Sequence, residues 1–313
     1  MIFHDVSPTL LKTLAGVFGL LAFLTVVFHG VKLAKGPSKL VNELIERTHS
    51  WWVMVLIASV VLFVNNYIAA VGLALLSAFA LRELLNSISL RNSDSRPILW
   101  CFLTIPVQYL LVLFQVDNYY GIFIPVFVFT FLAFRSVSRG DTKDITRSLG
   151  IINWSLMITV FSFSHILMIL VYPFKGFASS ENAQIVLFLL LITELNDVFQ
   201  FTWGKLFGKT KIIPSVSPNK TLEGFVGGFL TTAILAASLG FMVHLEPLHA
   251  GAIGALMAVV GFFGDLTFSA IKRDFQIKDL GSVIPGHGGI LDRMDSLAFT
   301  GMIFFYIFKQ YHG

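Results

Sequence analysis

Residues 269–296 read SAIKRDFQIKDLGSVIPGHGGILDRMDS, a run of charge and glycine in a chain that is only 13% charged overall. Gly281, Pro285, Gly286, Gly288 and Gly289 break any regular helix through its middle. Such a segment is too polar to cross a bilayer. The stretches beside it are not, because 249–271 and 294–310 are apolar enough for membrane helices. A dense polar loop at the mouth of a membrane bundle predicts chemistry on a charged substrate next to lipid.

Composition extends this reading to the whole chain. It is 56% hydrophobic with a mean hydropathy of +0.80, too apolar for a soluble domain of 313 residues. The 32 Phe and five Trp fit lipid-facing and interfacial surfaces. Ten spans are expected, near 9–33, 50–66, 67–85, 96–116, 119–135, 148–173, 183–203, 222–243, 249–271 and 294–310. The short pair within 50–85 also reads as one long tilted or broken helix. The first span lacks a small-residue cleavage site and outruns a signal-peptide core, so it is expected to be retained. The expected fold class is all-α, a polytopic membrane bundle of nine or ten transmembrane helices. It forms one domain over 1–313, with variable N-terminal helices over 1–180 and the chemical signature within 181–313. Cys101 is the single cysteine, so neither a disulfide framework nor a cysteine metal site is expected.

The basic residues orient these spans. With the N-terminus outside, the loops on the inner side hold sixteen of the 22 Lys and Arg, and those between spans on the outer side hold only Lys175. The positive-inside rule therefore predicts that both long polar loops face the cytoplasm. The basic residues follow topology and form no stripe, so nucleic acid is not an expected partner.

Three carboxylates stand out. Asp265 follows Gly264 seven residues before Lys272, so it lies about 10 Å along a helix from the cytoplasmic end. A carboxylate at that depth needs an ion pair with a neighbouring helix or a bound metal. Asp292 and Asp295 are spaced i, i+3 at the start of the last span and share a face if the helix has begun. Capping a helix N-terminus would also explain them. Three acids around one loop favour Mg²⁺, a hard cation that takes oxygen ligands and bridges phosphates.

Cations accompany the acids. Lys272 and Arg273 close the ninth span, where snorkelling to the interface is the common explanation. Lys278 and Arg293 lie inside the loop, and Arg suits bidentate phosphate contact. The run Pro285-Gly286-His287-Gly288-Gly289 offers free amides to a phosphate just before a helix start. A second polar loop, 204–223, reads GKLFGKTKIIPSVSPNKTLE. Lys205, Lys209 and Lys211 equally suit contact with anionic lipid. Ser217 or Thr221 can cap the following helix, and Lys220 can hold a phosphate. Just upstream, Glu194, Asn196 and Asp197 put polar groups into the end of the seventh span and call for a partner or an ion.

Together these residues resemble the signature of the phosphatidate cytidylyltransferases (CDP-diacylglycerol synthases). The matching elements are Ser269, Lys272-Arg273, Lys278-Asp279, Pro285-Gly286-His287-Gly288-Gly289 and Asp292-Arg293-Met294-Asp295. The upstream loop is similar too, through Asn196-Asp197, Gly204-Lys205, Gly208-Lys209 and Ser217-Pro218-Asn219-Lys220-Thr221 followed by Glu223-Gly224. The match covers about residues 190–300, and the N-terminal part matches only in being polytopic. The chain departs from the pattern at Gln200-Phe201 and at Asn219, as in an accessory bacterial branch of the family.

The resemblance implies transfer of a cytidylyl group from CTP to phosphatidic acid, giving CDP-diacylglycerol and pyrophosphate. It implies Mg²⁺ held by Asp265, Asp292 and Asp295, and phosphates met by Lys220, Lys272, Arg273, Lys278 and Arg293. Asp279 and His287 join the catalytic set. Asn196, Asp197, Ser217, Thr221, Ser269, Pro285, Gly286, Gly288 and Gly289 shape the substrate pocket. The expected partners are CTP, phosphatidic acid and the lipid bilayer, with a homodimer as an allowed assembly. A bacterial cytoplasmic membrane is the expected location, with the site facing the cytoplasm. Two rival readings are a CTP-dependent kinase of a lipid alcohol and a silent lipid-binding paralogue or transporter. A transporter would gather its polar groups near the midplane rather than at one face.

Overall fold

A computed structural model describes residues 6–36, 38–88, 90–116, 119–138, 140–277, 279–281 and 289–313. Ten long helical segments follow in order: α1 Pro8–Lys35, α2 Lys39–Phe63, α3 Asn66–Asn86, α4 Ser95–Leu113, α5 Tyr119–Val137, α6 Ile145–Val171, α7 Asn182–Phe207, α8 Leu222–Ser238, α9 Pro247–Asp274 and α10 Leu291–His312. The protein is an all-helical membrane bundle, and no strand occurs among the described residues. Eight of the segments, α1 to α7 and α9, are long and apolar enough to cross a bilayer. α8 is apolar but shorter, and α10 begins on the charged run that includes Asp292, Arg293 and Asp295.

Local chemistry sets the boundaries. The stretch 50–85 is two helices, because Val64 is extended and the Asn65 side chain caps α3 by accepting from Ile68 N–H. α2 starts eleven residues before the expected span, at Lys39, where Ser38 accepts from Val41 N–H. Its first turns are thus polar helix where a loop was expected. The span expected over 222–243 ends as α-helix at Ser238 and tightens into a 3₁₀ turn over Gly240–Val243. α5 widens to a π-turn over Phe123–Val128, which contains Pro125, a residue that supplies no N–H to the helix ladder.

α6 is the central helix: 83% of its most apolar stretch is buried, against 11% for α1. Leu167 and Ile169 of α6 join Phe188 of α7 and Phe304, Phe305 and Phe308 of α10 in the main core, while Phe163 of α6 joins Leu84 of α3 and Phe268 of α9 in a second cluster. In hydrocarbon this packing is held by close contact and interhelical hydrogen bonds rather than by expulsion of water. α1 and α2 lean on α7 and α8 across a cavity of about 930 Å³, walled by groups such as Leu20, Trp51, Leu191, Leu195 and Phe201. α7, α8, α9 and α10 pack against one another and carry the polar residues of both loops.

Candidate active site

Very close helix packing builds the platform. A Cβ on Gly228 of α8 would strike the Gln200 side chain and approach Gln200 N at 3.1 Å, so only glycine lets α8 lie this close to α7. A Cβ on Gly264 of α9 would come 3.0 Å from Asp295 O and 2.9 Å from Phe299 Cδ2 on α10. That close crossing brings Asp265, the next residue, beside Asp295. Asn196, 1% exposed, ties the platform together. Its Nδ2 donates to Ala258 O on α9 (3.4 Å), and its Oδ1 accepts from Thr232 Oγ1 on α8 (3.2 Å).

The 208–221 loop folds back on itself to present Lys220. Glu223 at the start of α8 accepts from the N–H groups of Lys209 (3.0 Å) and Thr210 (3.1 Å). Leu222 N–H donates to Thr210 O, Ile212 N–H donates to Lys220 O, and Lys211 bridges Thr221. Thr221 rather than Ser217 caps α8, accepting from Gly224 N–H at 3.2 Å. Ser217 belongs to the turn, with its N–H on Ile213 O. Arg273 Nε donates to Val216 O (3.4 Å), which fastens the end of α9 to this loop.

Lys220 Nζ stands 2.6 Å from Asp265 Oδ2 and 4.6 Å from the centre of the Phe262 ring. Asp265 also accepts from Ser269 Oγ one turn on, at 3.2 Å. Lys272 Nζ stands 2.8 Å from Asp292 Oδ1. The other Asp292 oxygen accepts from Leu280 N–H (2.8 Å) and Gly289 N–H (3.0 Å). Asp295 lies near enough to Asp265, Asp197 and Lys272 for their charges to act on it, and its Oδ1 accepts from Ser296 N–H at 2.8 Å. Ser296 Oγ donates to Asp197 Oδ2 at 3.0 Å. Glu194 lies within electrostatic reach of Arg293 and Asp295. Asp279 is exposed. Lys278, Pro285, Gly286, His287 and Gly288 lie outside the described residues.

The structure thus brings Asp197, Lys220, Asp265, Lys272, Asp292 and Asp295 to one end of the bundle. Asp265 and Asp292, expected as metal ligands, each face a lysine. Among the described residues no three acidic or histidine side chains are grouped closely enough to hold an ion as they stand. One oxygen nonetheless suits a hard cation. Asp197 Oδ1 is the only buried carboxylate oxygen, among the described residues, without a hydrogen-bond partner. With Asp265 and Asp295 near it, the donor set suits Mg²⁺ in chemistry. Sequence reasoning missed Glu83 of α3, which reaches the same end and accepts from Ile290 N–H (3.0 Å) and Leu291 N–H (3.3 Å). Its only sequence signal was an acid near the end of an apolar helix.

Fold and site describe a multi-pass membrane protein that gathers carboxylates and lysines at one end of its bundle. The chain belongs to the cytidylyltransferase family, whose model matches residues 45–311. It is 38% identical over 299 residues to the Escherichia coli K12 protein called "Uncharacterized protein YnbB", covering 95% of this chain and 98% of that one. It is 41% identical over 123 residues to a phosphatidate cytidylyltransferase of Staphylococcus epidermidis RP62A, which is 39% of this chain and 47% of the relative. A phosphatidate cytidylyltransferase of Staphylococcus aureus COL matches over the same shares at 40% identity. The chain therefore spans about half the length of these phosphatidate cytidylyltransferases and nearly all of the E. coli relative.

Proposed function

We propose that the protein transfers the cytidylyl group of CTP to phosphatidic acid, forming CDP-diacylglycerol and pyrophosphate at the cytoplasmic face of a bacterial inner membrane. The observation that carries this reading is the pairing of two lysines with two acids at one end of the bundle, Lys220 of the 208–221 loop with Asp265 on α9 and Lys272 at the end of α9 with Asp292 at the start of α10. Family membership supports a nucleotidyl transfer, and the partial likeness to phosphatidate cytidylyltransferases supports the acceptor.

In the reaction a phosphate oxygen of phosphatidic acid forms a bond to the α-phosphorus of CTP. The bond from that phosphorus to the bridging oxygen breaks, and its electron pair leaves on pyrophosphate. The nucleophile is already an oxyanion, so no general base is required. The barrier is largely the gathering of negative charge, and fixed cations lower it. Lys220 and Lys272 can exchange a carboxylate oxygen for a phosphate oxygen with little movement. Arg273, Lys278 and Arg293 add positive charge around them. Asp197, Asp265 and Asp295, with Asp292 beside them, would hold Mg²⁺. When bound, the ion would neutralise phosphate charge and orient the reacting groups. Acyl chains stay in the bilayer and approach between helices.

The test uses purified protein in mixed micelles with phosphatidic acid, Mg²⁺ and CTP labelled at the α-phosphorus. Label should move into CDP-diacylglycerol with release of pyrophosphate. Transfer of a γ-label to a lipid alcohol, with none of the α-label moving, would establish the kinase reading instead. Movement of neither label would leave the silent paralogue or transporter.

A further inference from the structure

The signature loop is held from outside the signature. Glu83 lies near the end of α3, 7% exposed, about two hundred residues from the loop in sequence. Its carboxylate accepts from Ile290 N–H and Leu291 N–H, the cap and first residue of α10. No side chain within α10's own first turn caps those groups. A glycine-to-helix junction of this kind would serve a phosphate, yet here a protein carboxylate has taken its amides. The contact is close: a Cβ at Gly281 or at Gly289 would run into the Glu83 side chain. Four residues on, at the cap that ends α3, Ser87 Oγ donates to Leu280 O at 2.6 Å. Asp292 then joins the same two ends of the loop, accepting from Leu280 and Gly289 N–H.

From this geometry we infer that Glu83 and Ser87 form a clasp that positions the loop's two ends, and with them Asp292, for the reaction proposed above. Among the described residues Glu83 makes no hydrogen bond or ion pair with Lys272, Asp197, Asp265 or Asp295, so it acts through the loop ends and Asp292 as a positioning residue. A carboxylate supplies two acceptors to two adjacent N–H groups, and its charge complements the positive end of the helix. Glutamine keeps the shape but turns one amide nitrogen towards a donor. Aspartate keeps the charge but falls one methylene short. Leu280 is buried at 2%, so the Ser87 bond fixes the near end of the loop against the core.

The test measures peptide-resolved hydrogen exchange and steady-state kinetics for wild type, Glu83→Gln, Glu83→Asp and Ser87→Ala in detergent. For Glu83→Gln, exchange should rise at least tenfold in peptides covering 279–293 and stay unchanged in α1, α2, α7 and α8. Its kcat should fall at least tenfold with KM for CTP within threefold. Glu83→Asp should recover part of both, and Ser87→Ala should shift them the same way by a few fold. Unchanged exchange over 279–293 would overturn the clasp. So would exchange rising equally throughout the bundle, which would make Glu83 a general stabilising residue. Normal kcat despite local loosening would overturn its positioning role. This rests on the cytidylyl-transfer reading for kinetics alone. If wild type transfers no cytidylyl group, that reading fails while the exchange arm still decides the clasp.

Discussion

Lys272 on α9 reaches across to Asp292 on α10, with Nζ 2.8 Å from Oδ1. The second Asp292 oxygen is filled by two main-chain N–H groups from either end of the loop. One side chain therefore ties a cation, a loop and a helix start together, and its charge matters to all three. Asp292→Asn replaces an acceptor with a donor and removes the charge Lys272 faces. It should cut turnover at least a hundredfold. The Asp292 side chain is only 8% exposed, so stability should also fall, by ~3 kcal/mol for a broken enclosed pair. Lys272→Met should lower turnover comparably and cost less stability, since Asp292 keeps its two N–H donors. Label-transfer assays and thermal unfolding in detergent separate the two effects.

Lys220 and Asp265 link the other loop to the membrane helices, 2.6 Å apart. Lys220→Ala should weaken kcat/KM at least tenfold, because a phosphate oxygen loses its ammonium partner. Asp265→Asn should abolish turnover that depends on divalent cations. A Lys220→Arg variant is the control. It keeps the charge but not the compact reach, and should recover only part of the rate. Full activity of Lys220→Ala would reduce the pair to a structural tie.

Asp197 presents one oxygen to Ser296 and leaves the other buried with no hydrogen-bond partner among the described residues. Asp197→Asn should raise the Mg²⁺ concentration needed for half-maximal rate by at least tenfold, and chelation should silence wild type reversibly. Ser296→Ala frees the second oxygen and should cost ~1 kcal/mol of stability with a smaller effect on the Mg²⁺ requirement. Titrating MgCl₂ against initial rate for all three proteins reads this out.

Much of the fold was legible because hydrocarbon imposes one rule, apolar runs long enough to span. The α2 start at Lys39 was not, since its first turns are polar and held by the Ser38 cap. At the site, the polar loops and their residue types could be read, but their partners could not. Asp292 and Asp295 have helical spacing on α10, yet one pairs with Lys272 and the loop ends while the other lies within the electrostatic reach of Asp197 and Asp265. Glu83 was invisible for the same reason. Its role exists only once α3 is packed against the start of α10, and no local pattern encodes that contact.

Gly264 sits where α9 crosses α10, with Asp295 O 3.0 Å from where a Cβ would lie. Gly264→Ala should force the helices apart and cost ~1–3 kcal/mol. Because Asp265 is the next residue, turnover should fall more than stability does. Gly251→Ala provides the comparison, because its Cβ would meet Ala233 O at 3.3 Å, away from the site acids. Equal losses of activity at the two positions would mean that packing at Gly264 has no special link to the acids.

Orientation can be read with single cysteines, because the chain has only one of its own to remove. Cys101 is buried, and its Sγ donates to Pro97 O at 3.2 Å within α4, a bond that Cys101→Ser retains. In that background Lys211→Cys lies on the exposed loop after α7, and Glu246→Cys on the exposed turn before α9, at the other end of the bundle. With the substrate loops facing the cytoplasm, a membrane-impermeant maleimide should label Glu246→Cys in intact cells and Lys211→Cys only after permeabilisation. The reverse pattern would place the site outside, where CTP is not available, and would remove the cytidylyl-transfer reading along with the orientation.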